Sequence, residues 1–146
     1  MSKLENITLR YFFLGNATYA PGSITSFVVL LLCFFIPNSI SWQLPFLISH
    51  LMIGFYFCFL YSIKKKQDSD PTFIVIDEAV GMIISLFFIP KVFSAYLLAF
   101  ILFRFFDIIK PSIIYRVQNV KYGLGIMLDD IVAGILTLLI VAGIFY

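Results

Sequence analysis

Five of the eight acidic residues of this chain lie inside or against strongly apolar stretches. Asp77 and Glu78 sit in FIVIDEAVGMIISLFF, Asp107 in LFRFFDIIKP, and Asp129 and Asp130 in GIMLDDIVAGILTLLIV. A charge at membrane depth costs about 2.5–3.5 kcal/mol on insertion scales. A short apolar chain tolerates that where its carboxylates face a polar cavity, bind a cation or do chemistry. Any fold for this sequence must therefore keep these five acids out of lipid.

The solvent itself follows from composition. The chain has 146 residues, 62% of them hydrophobic and 12% charged, with a mean hydropathy of +1.04. Soluble domains are roughly 45–50% apolar and about 25% charged. The chain reads as an integral membrane protein of the all-α class, a polytopic helical bundle forming one domain over residues 1–146. A formal charge of +2 gives no reason to expect a nucleic-acid partner. The N-terminus lacks the apolar core and small-residue cleavage site of a signal peptide, so insertion through the chain's own spans is expected. Cys33 and Cys58 lie in apolar runs without metal or disulfide spacing and read as buried space-fillers.

A span needs about 20 apolar residues. Segments 44–63, 73–90, 92–109 and 124–146 fit. A shorter one, 22–36, either starts at the interface or pairs with the apolar YFFL at 11–14 as a re-entrant segment. About five membrane segments result, separated by PNS, KKKQDSDP, PK and KPSIIYRVQNVKYG. Lys3, Arg10, Lys64, Lys65, Lys66, Lys110, Arg116 and Lys121 then fall on one side, and only Lys91 on the other. The positive-inside rule places the N-terminus in the cytoplasm. In that topology every polar cluster falls at the cytoplasmic end of a span, so one site at that membrane surface is expected.

Three constellations carry the chemistry. In FRFFDIIKP, Arg104, Asp107 and Lys110 are spaced by three and line roughly one helical face. Pro111 marks the helix end. The plain reading is an intrahelical ion pair with a snorkelling lysine. Arg104, flanked by phenylalanines well inside the span, has instead the donor fork that suits phosphate. In IVIDEAVGM and IMLDDIVAG, paired acids are followed by small residues, Gly81 or Ala133 and Gly134. Small residues let helices approach closely in lipid. The acid pairs brought together repel unless neutralised by a cation or a proton, and their oxygens select a hard cation. Helix N-terminal acids favoured by the macrodipole are the plain alternative. In TYAPGSITS, Pro21 suits a first helical position. Thr18, Ser23, Thr25 and Ser26 with the free N–H groups offer either an anion cradle or simple capping.

His50, the single histidine, sits mid-span and reads as a buried hydrogen-bonding residue. The chain has no phosphohistidine cluster, DxDxT/V motif, G-x-S-x-G elbow, Walker A loop or Cys-x5-Arg loop. An ion or proton transporter would spread its acids across the bilayer. A CDP-alcohol phosphotransferase would carry a long DG…AR…G…D…D string, which is absent. A purely structural subunit leaves five acids unexplained.

The blocks around PGS, then IDEAVGM, FRFFDIIKP and GLGIMLDDIVAG, are similar in order and spacing to the phosphatidylglycerophosphatase A family of bacterial membrane lipid phosphatases. The likeness runs from about Gly15 to the C-terminus. Where the family commonly reads PGTxGS, Ser23 replaces threonine and Thr25 replaces glycine; KPxPI loses its second proline at Ile113. The resemblance implies a Mg²⁺-dependent phosphomonoesterase acting on the phospholipid phosphatidylglycerophosphate in the bacterial inner membrane, with its site at the cytoplasmic face. On that reading Asp77, Glu78, Asp129 and Asp130 hold metal, and Arg104 and Lys110 bind phosphate with Thr18, Gly22 and Ser23. Asp107 orients Arg104 or acts as base. Attack by water is expected in preference to a covalent aspartyl-phosphate.

Overall fold

A computed structural model of the chain describes residues 2–65, 71–118 and 120–146. Lys66 and most of the KKKQDSDP break lie outside the described residues. Among those described the protein is helical throughout, without a strand. Its helices are α1 (Lys3–Leu9), α2 (Pro21–Phe35), α3 (Ile40–Lys65), α4 (Ile76–Ser85), α5 (Phe93–Ile109), α6 (Ser112–Gln118) and α7 (Leu124–Phe145), with a 3₁₀ turn at Leu14–Asn16.

Local chemistry sets the boundaries. Ser2 and Glu5 form a reciprocal capping box at the start of α1. Pro21 opens α2, its fixed φ suiting the first helical position. Lys110 takes a left-handed conformation (φ 47°) and ends α5, as a residue before proline must leave the helical region. The helices α3 and α7, of 26 and 22 residues, are each long and apolar enough to cross a membrane. The free thiols of Cys33 and Cys58 are buried, as expected.

The expected segment 73–90 is helical only over the ten residues of α4. At 1.5 Å per residue α4 spans about 15 Å, half of the roughly 30 Å of a hydrocarbon core. It stops in a turn where Phe88 adopts φ 60°. Its apolar sequence has another cause: nine of its ten residues are buried. The helices α2, α3, α5 and α7 all pack around it. Glycines let α7 come closest. A Cβ on Gly134 would stand 2.5 Å from the Gly81 carbonyl oxygen, and one on Gly81 would stand 2.8 Å from the Asp130 carbonyl oxygen. The small residues beside the acid pairs thus do what their spacing predicts.

The helices alternate in direction. At one end of the bundle Phe88 N donates to Gln43 Oε1 at 2.9 Å, Lys91 Nζ reaches the Phe34 carbonyl, and the Tyr146 hydroxyl donates to the Phe88 carbonyl. At the other end α1 lies along α3, with Glu5 paired to Lys64. Val75 N donates to the Leu9 carbonyl at 2.9 Å, so the segment before α4 is pinned to the N-terminal segment. Gly15 is pressed against the Phe73 carbonyl, where a Cβ would be 2.2 Å away.

Candidate active site

The first turn of α4 carries Asp77 and Glu78. Asp130, from the second turn of α7, joins them because Gly81 and Gly134 let the two backbones touch. One carboxylate oxygen from each of the three lies within 4.8 Å of the others. Asp77 and Asp130 are buried. The donor set is all oxygen, the kind that hard divalent cations take. Glu78 Oε2 and Asp130 Oδ2 have no hydrogen-bond partner among the described residues. Buried acceptors left in that condition are costly unless a cation or proton meets them.

Cations stand beside this group. Arg104 Nη1 lies 2.5 Å from Asp107 Oδ2, one helical turn on, in a largely buried ion pair. Arg104 Nε is buried and has no hydrogen-bond partner among the described residues. Lys110 leaves the helix that carries Arg104. Its Nζ donates to Asp129 Oδ2 at 2.6 Å, while Asp129 Oδ1 accepts from the Asp130 backbone N–H at 3.1 Å. Asp129 therefore stands with Lys110 rather than with Asp77, Glu78 and Asp130. Adjacent helical residues project about 100° apart, which separates the members of the pair.

Glu78, Arg104, Asp107 and Lys110 open onto one cavity of about 310 Å³. The start of α2 closes its far side with Ala20, Pro21 and Gly22. Ala20 is left-handed (φ 44°) and caps the helix without a side-chain bond. Gly22 leaves room for the Glu78 carboxylate: a Cβ would stand 2.1 Å from Glu78 Oε1 and 3.2 Å from Arg104 Nη1, so a side chain there displaces Glu78 from its place. Of the hydroxyls expected around it, Thr18 is exposed in the preceding bend, and neither Thr18 nor Ser23 lines the cavity. Ser26 donates instead to the Gly22 carbonyl at 2.9 Å. Thr72, Ile74 and Ile108 also line the cavity. Ile74 and Ile108 lie within the acid-bearing blocks IVIDEAVGM and FRFFDIIKP and Thr72 just before the first, but nothing in these residue types marks a cavity lining.

The depth of the site is greater than the ends of the helices imply. Ile76, next to Asp77, faces Gly54 in the middle of α3, where a Cβ would meet its side chain at 3.6 Å. The helix α3 continues to Lys65, roughly 16 Å further at 1.5 Å per residue. His50 lies outside the cluster. Its Nδ1 is 2.8 Å from the Phe46 carbonyl and its Nε2 3.1 Å from the Tyr11 hydroxyl, the hydrogen-bonding role expected of it.

Grouped carboxylates beside buried guanidinium donors, in a bundle of exposed apolar helices, equip a membrane-associated enzyme for phosphate esters. A family profile described as Phosphatidylglycerophosphatase A matches residues 7–145. The chain belongs to that family and is a phosphatase. It is 32% identical over 139 residues to a Bacteroides thetaiotaomicron protein named putative phosphatidylinositol-3-phosphatase, covering 88% of this chain and 85% of that one. It is 35% identical to a phosphatidylglycerophosphatase A of Escherichia coli, covering 90% and 76%. A Haemophilus influenzae protein of the same name is 47% identical over 75 residues, half of this chain and 46% of its own. No solved structure matches the chain.

Proposed function

We propose that the chain hydrolyses the terminal phosphomonoester of phosphatidylglycerophosphate, giving phosphatidylglycerol and inorganic phosphate. One observation carries the reading. Unpartnered acceptors on Glu78 and Asp130 and an unpartnered donor on Arg104 belong to the same site. The acceptors call for a cation and the donor for an anion, and a phosphomonoester with its metal ion supplies both.

Asp77, Glu78 and Asp130 would hold Mg²⁺, with Asp129 joining them if Lys110 moves to substrate. When bound, the ion neutralises phosphoryl oxygens and acidifies water. The chain's own groups do the rest. Arg104 presents Nε to the phosphoryl oxygens and neutralises charge as the bond to the leaving oxygen lengthens. Asp107 fixes the guanidinium in that place. The uncapped N-terminus of α2 turns its free N–H groups to the same anion, and Gly22 lets it come close. Water adds its oxygen to phosphorus and gives up one proton to a neighbouring carboxylate, the bond to the glycerol oxygen breaks, and that oxygen takes up a proton in turn as it leaves. The grouping of the acids at one site argues against a relay of carboxylates across the bilayer.

The membrane placement is part of the same proposal. Four passages are made by α2, α3, α5 and α7, and the fifth by α4 with its flanking turns, whose backbone is shielded by protein. The cationic end, with Lys3, Arg10, Lys64 and Lys110, faces the cytoplasm of a bacterial inner membrane.

The test is phosphate release by purified protein in mixed micelles. Phosphatidylglycerophosphate and phosphatidylinositol 3-phosphate are the two substrates, the second because a relative is named for it. Release from phosphatidylglycerophosphate, abolished by EDTA and restored by Mg²⁺, is expected. Release that persists in EDTA removes the metal, and no release from phosphatidylglycerophosphate removes the function.

A further inference from the structure

We propose that the lipid's acyl chains reach this site sideways, through a mouth between the start of α2 and the end of α5. The inference rests on the lipid-phosphatase reading and adds the route and the residues that flank it. The seam between α2 and α5 is closed over most of its length by aromatic pairs. Phe34 meets Tyr96 edge-on with centroids 5.8 Å apart, and Phe27 meets Phe100 edge-on at 6.1 Å. Among the described residues the next turn toward the cationic end holds no such pair. There Gly22 faces Arg104, and the seam opens into the cavity.

The surroundings of that opening are apolar and outward-facing. Ile108 lines the cavity and is itself 68% exposed, so the cavity reaches the outer surface of the bundle at that residue. Ile24 on α2 and Ile101 and Phe105 on α5 are exposed around it. The segment before α4 offers no apolar approach of that kind: Thr72, its exposed cavity-lining residue, is polar, and the segment is pinned to the N-terminal one. Leu9 accepts from Val75, Gly15 is pressed on Phe73, and the Arg10 guanidinium sits 4.6 Å from the centre of the Phe73 ring. Head-group chemistry inside and exposed hydrocarbon outside fit a substrate whose phosphate turns inward while its tails stay in the bilayer. The Phe27–Phe100 pair is the floor on which a tail would rest.

The probe is phosphatidylglycerophosphate bearing a diazirine in one acyl chain, illuminated in vesicles containing the Asp130→Asn variant, whose expected slow turnover leaves the probe intact during labelling. Labelling of Ile24, Phe27, Ile101 or Phe105 that falls at least tenfold with excess unlabelled phosphatidylglycerophosphate is the expected result. In parallel, Ile24→Trp should lower lipid turnover about tenfold by narrowing the mouth. Leu139→Trp, on an exposed face of α7, should leave turnover unchanged. Phosphate release by the unaltered chain in the same vesicles reads the proposed function separately. If release proceeds but competitor-sensitive label lands on α3 or α7, or nowhere, the lateral mouth is overturned and the phosphatase reading stands. Equal turnover by Ile24→Trp and the unaltered chain overturns it too.

Discussion

Lys110 Nζ stands 2.6 Å from Asp129 Oδ2 across 19 residues of sequence, tying the residue that ends α5 to the neighbour of Asp130. Asp129 is almost wholly buried and Lys110 largely so. Removing one partner leaves an uncompensated charge in an apolar bundle. Lys110→Met should destabilise the protein by about 3 kcal/mol, the low end for a broken buried pair. The double variant Lys110→Met/Asp129→Leu should recover most of that in thermal unfolding in detergent, while remaining inactive.

Asp130→Asn should keep the fold and lose catalysis. The amide is nearly isosteric and leaves the Gly81–Asp130 backbone contact intact. If the three carboxylates hold the proposed cation, loss of one removes several kcal/mol of transition-state stabilisation, a fall of roughly a hundredfold or more in phosphate release. An unchanged melting temperature with near-normal turnover would sink the role given to Asp130.

Two glycines separate activity from stability. In Gly22→Ala the new Cβ meets the carboxylate end of Glu78, which can swing aside. Turnover should fall more than tenfold while the unfolding midpoint barely moves. In Gly81→Ala the Cβ meets the Phe103 ring and the backbone of α7. Overpacking there should lower stability by about 1–3 kcal/mol. Melting curves and initial rates measured on both variants check the contrast.

The N-terminal segment sets an acid limit on stability. The hydrogen bond from Lys64 holds the Glu5 carboxyl below its ordinary value of 4.5, aided by the Ser2 backbone N–H. A depressed folded-state value means the pair stabilises the fold above about pH 4.5 and loses that effect as pH falls through the lowered value. Lys64→Met should lower the unfolding midpoint at neutral pH and leave it unchanged at acid pH, where Glu5 is already protonated, so the acid limb of the profile flattens.

The sequence reveals the parts whose physics is local. The acids stand out because charge in an apolar run is expensive. Pro111 marks the end of α5, and the glycines after each acid pair forecast the contact between α4 and α7. The length of α4 is hidden, because hydropathy reports burial without saying whether lipid or protein does the burying. The separation of Asp129 from Asp130 follows from helical geometry, but its partner Lys110 lies on a residue that has already left its helix. Ala20, Thr72 and Ile108 come to the cavity through tertiary packing alone, and their residue types give no warning of it.

The shortness of α4 bears on how the protein is made. A ten-residue helix beginning with two acids is a poor substrate for stepwise insertion, since each charge opposes transfer by about 2.5–3.5 kcal/mol. Its closest neighbour, α7, leaves the ribosome well after it, with α5 and α6 in between. The acid-bearing segment must therefore wait, shielded by α2, α3 and α5, until α7 arrives to seal it. Assembly and activation become one event, and a chain stalled before residue 124 should be a target for membrane quality control.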